Sequence, residues 1–318
     1  LLEMKAGILA AKENANLPIF CSMTFEANQR TFAGVSVPAM AAVLEGLGAD
    51  VIGFNCSLGP AEMLPLVQQL ATCTNLPILV KANAGLPNLK TNEYDIDAQQ
   101  FCDALAPHIQ AGAGIIGGCC GTTPEYIQKL STRYVSLCPI KRNPIHQSVL
   151  TGAADALQVN RVCIVGERIN PTGKKLFKQA LQNRNIGYIL SQGIEQIRVG
   201  ADILDVNVGL PGTDEEDLMV TVIEQLQSIT DVPLQIDSSS VEVLEAALRI
   251  YNGKPIVNSV NGEQEVLDSI LPLVKKYGAA VIGLTLDQNG IPSDAQSRYQ
   301  IAERIVKKAE EYGIPRED

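Results

Sequence analysis

The sequence predicts an α/β fold made of parts of two (β/α)8 TIM-type barrels joined by a linker. Three observations lead there. Short apolar runs alternate with longer helical segments along the chain, the alternation lapses once between 139 and 160, and polar residues collect at the C-terminal ends of the apolar runs. Strands separated by helices of this length pair in parallel, because each crossover returns the chain to the same end of the sheet. Four βα units precede the lapse and five follow it, so the count does not suit one eight-stranded barrel.

Leu1 to Lys12 reads as a helix with Leu1, Leu2, Met4, Ile8 and Leu9 on its apolar face and no capping residue ahead of it. Strands are then expected over 18–23, 50–55, 76–82 and 114–117, with helices over 38–47, 61–71, 97–110 and 124–130. Residues 1–138 are thus the C-terminal half of a first barrel. Over 139–160 the run Pro139-Ile140-Lys141-Arg142-Asn143-Pro144 and the pair Thr151-Gly152 read as an interdomain connection. Residues 161–318 resume the period as the N-terminal part of a second barrel. Its strands fall near 162–166, 202–207, 232–237, 255–258 and 279–284, and its helices near 174–182, 187–199, 215–229, 241–250, 264–277 and 299–312. Partial barrels leave unpaired strand edges, for which covering, association or further strands are expected.

Composition narrows the function classes. The chain has 318 residues, 46% of them hydrophobic, enough for one large core or two medium ones. No apolar run reaches the roughly 18–20 residues of a membrane span, and Leu-Leu-Glu-Met-Lys is not the opening of a signal peptide, so the expected location is the cytoplasm with no membrane partner. A net charge of −10 and the absence of Trp argue against nucleic acid. Eight cysteines are too few for a disulfide scaffold and are expected as thiols or metal ligands. Cys21, Cys73, Cys102, Cys138 and Cys163 stand singly among apolar residues and read as core side chains. His108 and His146 stand at no strand end and are given no proton-transfer role.

The strand-end residues carry the chemistry, because in a barrel those ends converge on one mouth. In the first part, Cys119 and Cys120 lie in Gly117-Gly118-Cys119-Cys120-Gly121-Thr122, and Cys56 ends Gly53-Phe54-Asn55-Cys56. Three thiolates from two such loops can close around one zinc and leave its fourth position open, where an incoming thiol is held as a thiolate. Asn55 and Asn83 suit the orientation of a polar substrate group or of the open position, or else serve as loop-capping amides. In the second part, Asp205, Asn207, Asp237 and Asn258 form an array of acceptors and donors suited to a flat heterocycle. Ser238 to Ser240 read as a helix cap, and Asp214 to Asp217 as charges favouring a helix N-terminus.

The first set of residues resembles the zinc signature of homocysteine S-methyltransferase barrels. Val165-Gly166-Glu167-Arg168-Ile169-Asn170, Leu204-Asp205-Val206-Asn207-Val208-Gly209, Ile236-Asp237-Ser238 and Val257-Asn258-Ser259 resemble the pterin-binding barrel that takes 5-methyltetrahydrofolate. Both sets in this order resemble the two N-terminal substrate modules of the cobalamin-dependent methionine synthase family. The resemblance implies that Cys56, Cys119 and Cys120 bind Zn2+, with homocysteine near Asn55 and Asn83. It implies a pterin site of Glu167, Asn170, Asp205, Asn207, Asp237 and Asn258, and methylcobalamin held by a cobalamin-binding domain outside this chain. It also implies that strands belonging to each barrel lie outside 1–318, so that the chain alone has incomplete substrate sites and little turnover. Two other readings compete: a dihydropteroate synthase relative, which leaves the cysteines idle, and a zinc- or pterin-holding module without chemistry.

Overall fold

The structure, a computed structural model, describes residues 1–87, 90, 94–143 and 147–318; the expectation for His146 falls outside the described residues. The chain divides into two compact units, Glu3–His146 and Leu1–Leu2 with Gln147–Asp318.

The first unit carries α1 (Leu2–Asn14), β1 (Phe20–Met23), α2 (Val37–Gly46), β2 (Val51–Asn55), α3 (Pro60–Cys73), β3 (Ile78–Ala82), α4 (Ala98–Ala104), α5 (Ala106–Gln110), β4 (Ala113–Gly118) and α6 (Pro124–Tyr134). Its strands pair in parallel in the order β1-β2-β3-β4. Sequential order is that of barrel staves; a doubly wound sheet reverses at a switch point. Proline in the first turn starts α2, α3 and α6, where its missing N–H is no loss. The helix expected over 97–110 is two helices broken at Leu105. Asp97 starts the first with a capping box to Gln100, and Pro107 sits in the first turn of the second. In α1 the inward face is Lys5, Ile8 and Leu9, while Leu2 is exposed.

The second unit opens with an antiparallel hairpin, β5 (Val149–Thr151) and β6 (Ala156–Gln158), inside the stretch expected as an irregular connection. Then come β7 (Val165–Ile169), α7 (Lys175–Gln182), α8 (Ile186–Arg198), β8 (Ile203–Val206), α9 (Glu215–Ile229), β9 (Leu234–Asp237), α10 (Val241–Ile250), β10 (Ile256–Val260), α11 (Gln264–Tyr277), β11 (Ala280–Gly283) and α12 (Ala295–Glu311). The five strands from β7 are parallel and again sequential, β11-β10-β9-β8-β7. The hairpin packs Leu150 against Ile203 and Ala280, with Leu157, Cys163 and Ile256 around them. Three of those residues open β8, β10 and β11, so the hairpin covers the N-terminal end of this sheet and leaves the other end for chemistry.

Among the described residues β1, β4, β7 and β11 each pair on one side only. Phe20 on β1 and Val165 on β7 are exposed there. The β11 edge is covered in part by the Asp318 carbonyl, which accepts from the Val281 N–H at 2.8 Å. Of the five single cysteines, Cys21 and Cys102 are buried and Cys73 and Cys163 half-buried. Cys138 is a correction: it is exposed, because it follows α6 in a segment whose Val135, Leu137 and Ile140 are exposed too. No helix among the described residues is long and apolar enough to cross a membrane.

Candidate functional site

At the C-terminal ends of β2 and β4 the three predicted cysteines meet. Their sulfurs all lie within 4.8 Å of one another, and Cys56 Sγ stands 3.6 Å from Cys120 Sγ. The backbone is bent to achieve this. Cys56 and Ser57 both take left-handed conformations, φ 61° and 60°, which cost a non-glycine residue about 1–2 kcal/mol each. Main-chain bonds hold the loops in place: the Cys56 N–H donates to Lys81 O at 3.0 Å, the Cys119 N–H to Ala82 O at 2.8 Å, and the Ala84 N–H to Cys120 O at 2.9 Å. Every one of those partners is on β3 or just beyond it. The strand between the two cysteine loops is therefore the jig on which both are set.

Asn83 is buried there, its Oδ1 accepting the Cys120 N–H at 3.2 Å. Asn55 is turned to Thr24, donating to its Oγ1 at 3.4 Å. Burial works against ionising Cys56, but the Ser57 N–H, the Cys120 and Cys119 thiols and Asn83 together hold its pKa below the ordinary thiol value. Cys119 is pushed up to about 11, by burial and by the negative charge of Cys56 beside it. Without a cation the cluster thus favours one thiolate and resists a second. A divalent ion reverses that preference.

At the mouth of the second unit the predicted residues pair off. The Asn207 amide donates to Asp237 Oδ2 at 2.9 Å, and the Asn258 amide donates to Asp205 Oδ1 at 3.2 Å. Asp205 is buried and receives a second donor from Gln235, its register partner on β9. Burial raises the pKa of Asp205; the donors from Gln235 and Asn258 oppose it, and the charges of Asp237 and Glu167 add to it. Burial likewise raises Asp237, with Asn207 opposing and Glu167 and Glu215 adding. Glu167 pairs with Lys174 at 3.3 Å, and buried Asn170 accepts the Thr172 N–H at 2.8 Å to form its own turn. A cavity of about 540 Å³ opens beside these strand ends, lined by Thr172, Asn207, Thr213, Glu215, Ser238 and Ser239 among others. Of the six residues expected around a pterin, Asn207 lines it.

Comparison with known proteins follows the same division. Residues 1–134 match the homocysteine S-methyltransferase family model, and residues 166–318 the pterin binding enzyme model. Methionine synthase of Mycobacterium leprae is 32% identical over 328 aligned residues, 96% of this chain, and that of Mycobacterium tuberculosis is 32% identical over 322. Over 96% of its length the chain is thus similar to methionine synthases. It spans 27% of the length of those two methionine synthases. Among solved structures, the metallated homocysteine methyltransferase MmuM of Escherichia coli is 28% identical over 42% of this chain and 40% of its own, with a TM-score of 0.33. Dihydropteroate synthase of Xanthomonas albilineans with 4-aminobenzoic acid is 22% identical over 54% of this chain and 64% of its own, with a TM-score of 0.41.

Three side chains at these methionine synthase-like mouths escaped the sequence reading. Tyr94 lays its ring against Gly121, next to Cys120, yet it lies between elements where periodicity carries no signal. Gln235 carried a signal: it is two residues before Asp237 on one strand and therefore on the same face. Glu215 was read as a helix N-terminal charge, but its Oε1 accepts from Ser238 Oγ at 2.6 Å and it lines the cavity. Asp214 is the residue that caps α9, accepting the Asp217 N–H, and Ser240 alone of the three serines caps α10, accepting the Val243 N–H at 3.2 Å.

Proposed function

We propose that the chain supplies parts of both substrate modules of a cytoplasmic methyltransferase. The enzyme moves a methyl group from 5-methyltetrahydrofolate, by way of cobalamin, to zinc-activated homocysteine, giving methionine and tetrahydrofolate. The observation that carries this reading is the convergence of Cys56, Cys119 and Cys120, with no fourth cysteine, histidine or carboxylate in the cluster among the described residues. Three sulfur donors and an open position suit zinc in a catalytic layout.

Zinc bound there supplies a Lewis acid that keeps a thiol ionised at neutral pH. The chain's own residues position it: Asn83 fixes the Cys120 backbone, and Asn55, one residue before Cys56, is assigned with Asn83 to homocysteine. At the other mouth Asp237 and Asn258 are assigned to the pterin ring, each held by a partner, Asn207 and Asp205, with Glu167 and Asn170 at the end of β7. N5 must gain a proton for tetrahydrofolate to leave, so acceptors that favour the charged ring assist transfer. Cobalamin is assigned to a separate domain, and none of the residues described above is assigned to it.

Metal analysis tests the reading. The purified chain is expected to hold one equivalent of zinc and Cys56→Ser to lose it; a zinc-free parent, or a variant that keeps its metal, rejects the assignment. Titration with 5-methyltetrahydrofolate, followed by reduced cobalamin, distinguishes methyl transfer from binding alone.

A further inference from the structure

We propose that Lys81 receives the carboxylate of the thiol substrate, as a cation set on the inward face of the first sheet one layer below the cysteine cluster. The inference rests on the reading of that mouth as a homocysteine site and deepens it, because Asn55 and Asn83 are neutral and leave the acid group of an amino-acid thiol without a cation. Lys81 supplies one.

The faces of the sheet follow from its register. Alternate residues of a strand point to opposite sides, and register partners on neighbouring strands share a side. Ile52 and Phe54 on β2 and their partners Ile78 and Val80 on β3 are fully buried, and α3 packs against both strands. That is the side the helices cover. The opposite side is the one a barrel turns inward. It carries exposed Phe20 and half-buried Asn55, Lys81 and Gly117, the last three aligned across β2, β3 and β4. Lys81 leans toward β4: its Cγ lies 3.7 Å from the place of a Gly117 Cβ, and among the described residues outside 116–118 nothing else comes within 4 Å of that place. The glycine leaves the lysine stem an open path toward the strand that ends in Cys119 and Cys120. Directly above this row the cluster begins. The Cys56 N–H donates to the Lys81 carbonyl at 3.0 Å, and Asn83, about 7 Å further along the same line, accepts the Cys120 N–H.

Among the described residues the Lys81 ammonium has neither a hydrogen bond nor an ion pair. Lys174, at the mouth of the second unit, is by contrast paired with Glu167. A half-buried ammonium gives up hydration, and without an anion it gains nothing in exchange. A carboxylate that arrives with the substrate makes good that loss through a charge-assisted hydrogen bond. In an amino-acid thiol a short run of carbons joins the sulfur to the carboxylate, and a lysine stem is long and flexible. A substrate whose sulfur lies among Cys56, Cys119 and Cys120 therefore presents its acid group to a cation rooted one layer below. Thiols without a carboxylate make no such contact, so Lys81 selects amino-acid thiols over simple ones.

The whole chain loaded with cobalt(II) reports thiol entry through its sulfur-to-metal absorption band, and three thiols divide the recognition. L-Homocysteine has both carboxylate and amine, 3-aminopropanethiol lacks the carboxylate, and 4-mercaptobutyrate lacks the amine. The parent is expected to bind L-homocysteine about tenfold more tightly than 3-aminopropanethiol. Lys81→Met keeps most of the stem and removes the charge. It is expected to hold the parent's metal content, to weaken L-homocysteine and 4-mercaptobutyrate about tenfold each, and to leave 3-aminopropanethiol unchanged. Affinities that do not change, or that fall equally for all three thiols, overturn the role of Lys81 and leave the thiol site standing. Loss of the metal from Lys81→Met marks the residue as part of the scaffold and also overturns it. A parent that does not distinguish L-homocysteine from 3-aminopropanethiol overturns it without any variant. A cobalt-loaded parent whose band no thiol alters, or a parent that takes up no metal, rejects the homocysteine reading itself and the role of Lys81 with it.

Discussion

Tyr251 allows a test of what holds the second unit together, because its hydroxyl sits between two buried backbone groups. The side chain is fully buried; its oxygen accepts the Leu234 N–H at 3.1 Å and donates to the Thr151 carbonyl at 2.8 Å. It therefore ties the start of β9 to the end of β5, the hairpin strand beneath the sheet. Tyr251→Phe preserves the ring and its packing and removes both bonds. Each buried polar group left without a partner costs about 1–3 kcal/mol, so the two together put the loss at about 2–6 kcal/mol. With a urea slope of about 2 kcal/mol per molar, the midpoint of this unit's transition, followed by far-UV circular dichroism, is expected to fall by about 1–3 M. Tyr312→Phe is the matched control: its hydroxyl donates to Asp268 at 3.0 Å on the surface, where water can replace it, and the change is expected to stay within about 0.5 kcal/mol. A Tyr251→Phe midpoint within about 0.3 M of the parent refutes the reasoning.

Two further predictions concern a buried histidine of the first unit and the mouth of the second. His108 is fully buried with neither ring nitrogen in hydrogen-bonding geometry, and burial, opposed only by the nearby Ala104 and Pro60 backbone, lowers its pKa. The folded state thus prefers the neutral ring, so stability is full above the unfolded value of about 6.5 and falls as pH drops through it, by up to about 1.4 kcal/mol per pH unit. His108→Phe is expected to flatten that part of the stability curve in unfolding measurements between pH 7.5 and 5.5; parallel curves rule it out. Asn207→Ala leaves Asp237 without its side-chain donor, and calorimetric titration is expected to show 5-methyltetrahydrofolate binding weakened about tenfold, the worth of one hydrogen bond to a charged group. Unchanged affinity would remove Asp237 and Asn207 from the pterin site.

How much was legible in the sequence depended on whether a residue's place is set by a period. All nine expected parallel strands are present, because runs such as Val51–Asn55 and Ile203–Val206 are buried on nearly every residue and read as continuous apolar stretches. The hairpin at 149–158 was missed for the converse reason. Its strands are three residues each, too short for a pattern, and Leu150 is the one buried apolar anchor. The break at Leu105 falls just before Pro107, which sits in the first turn of α5.

The same rule separates the cysteines from the residues packed around them. Cys56, Cys119 and Cys120 follow directly on strands, so once the strands are parallel and sequential their loops must share a mouth. Asn83 shares that advantage, one residue past β3. Tyr94 does not: eleven residues lie between it and Ala82, the end of β3, and no pattern in them says that it returns to the cluster. What brings it back is the exchange of backbone bonds at Ala84, one to Cys120 and one from Ile96. Main-chain bonds between irregular segments are independent of side-chain identity, so a sequence cannot display them. Gly121 is the single visible trace. A glycine after two cysteines reads as freedom for the backbone to curl around a metal, but here the missing side chain is also the space that an aromatic ring from another loop requires.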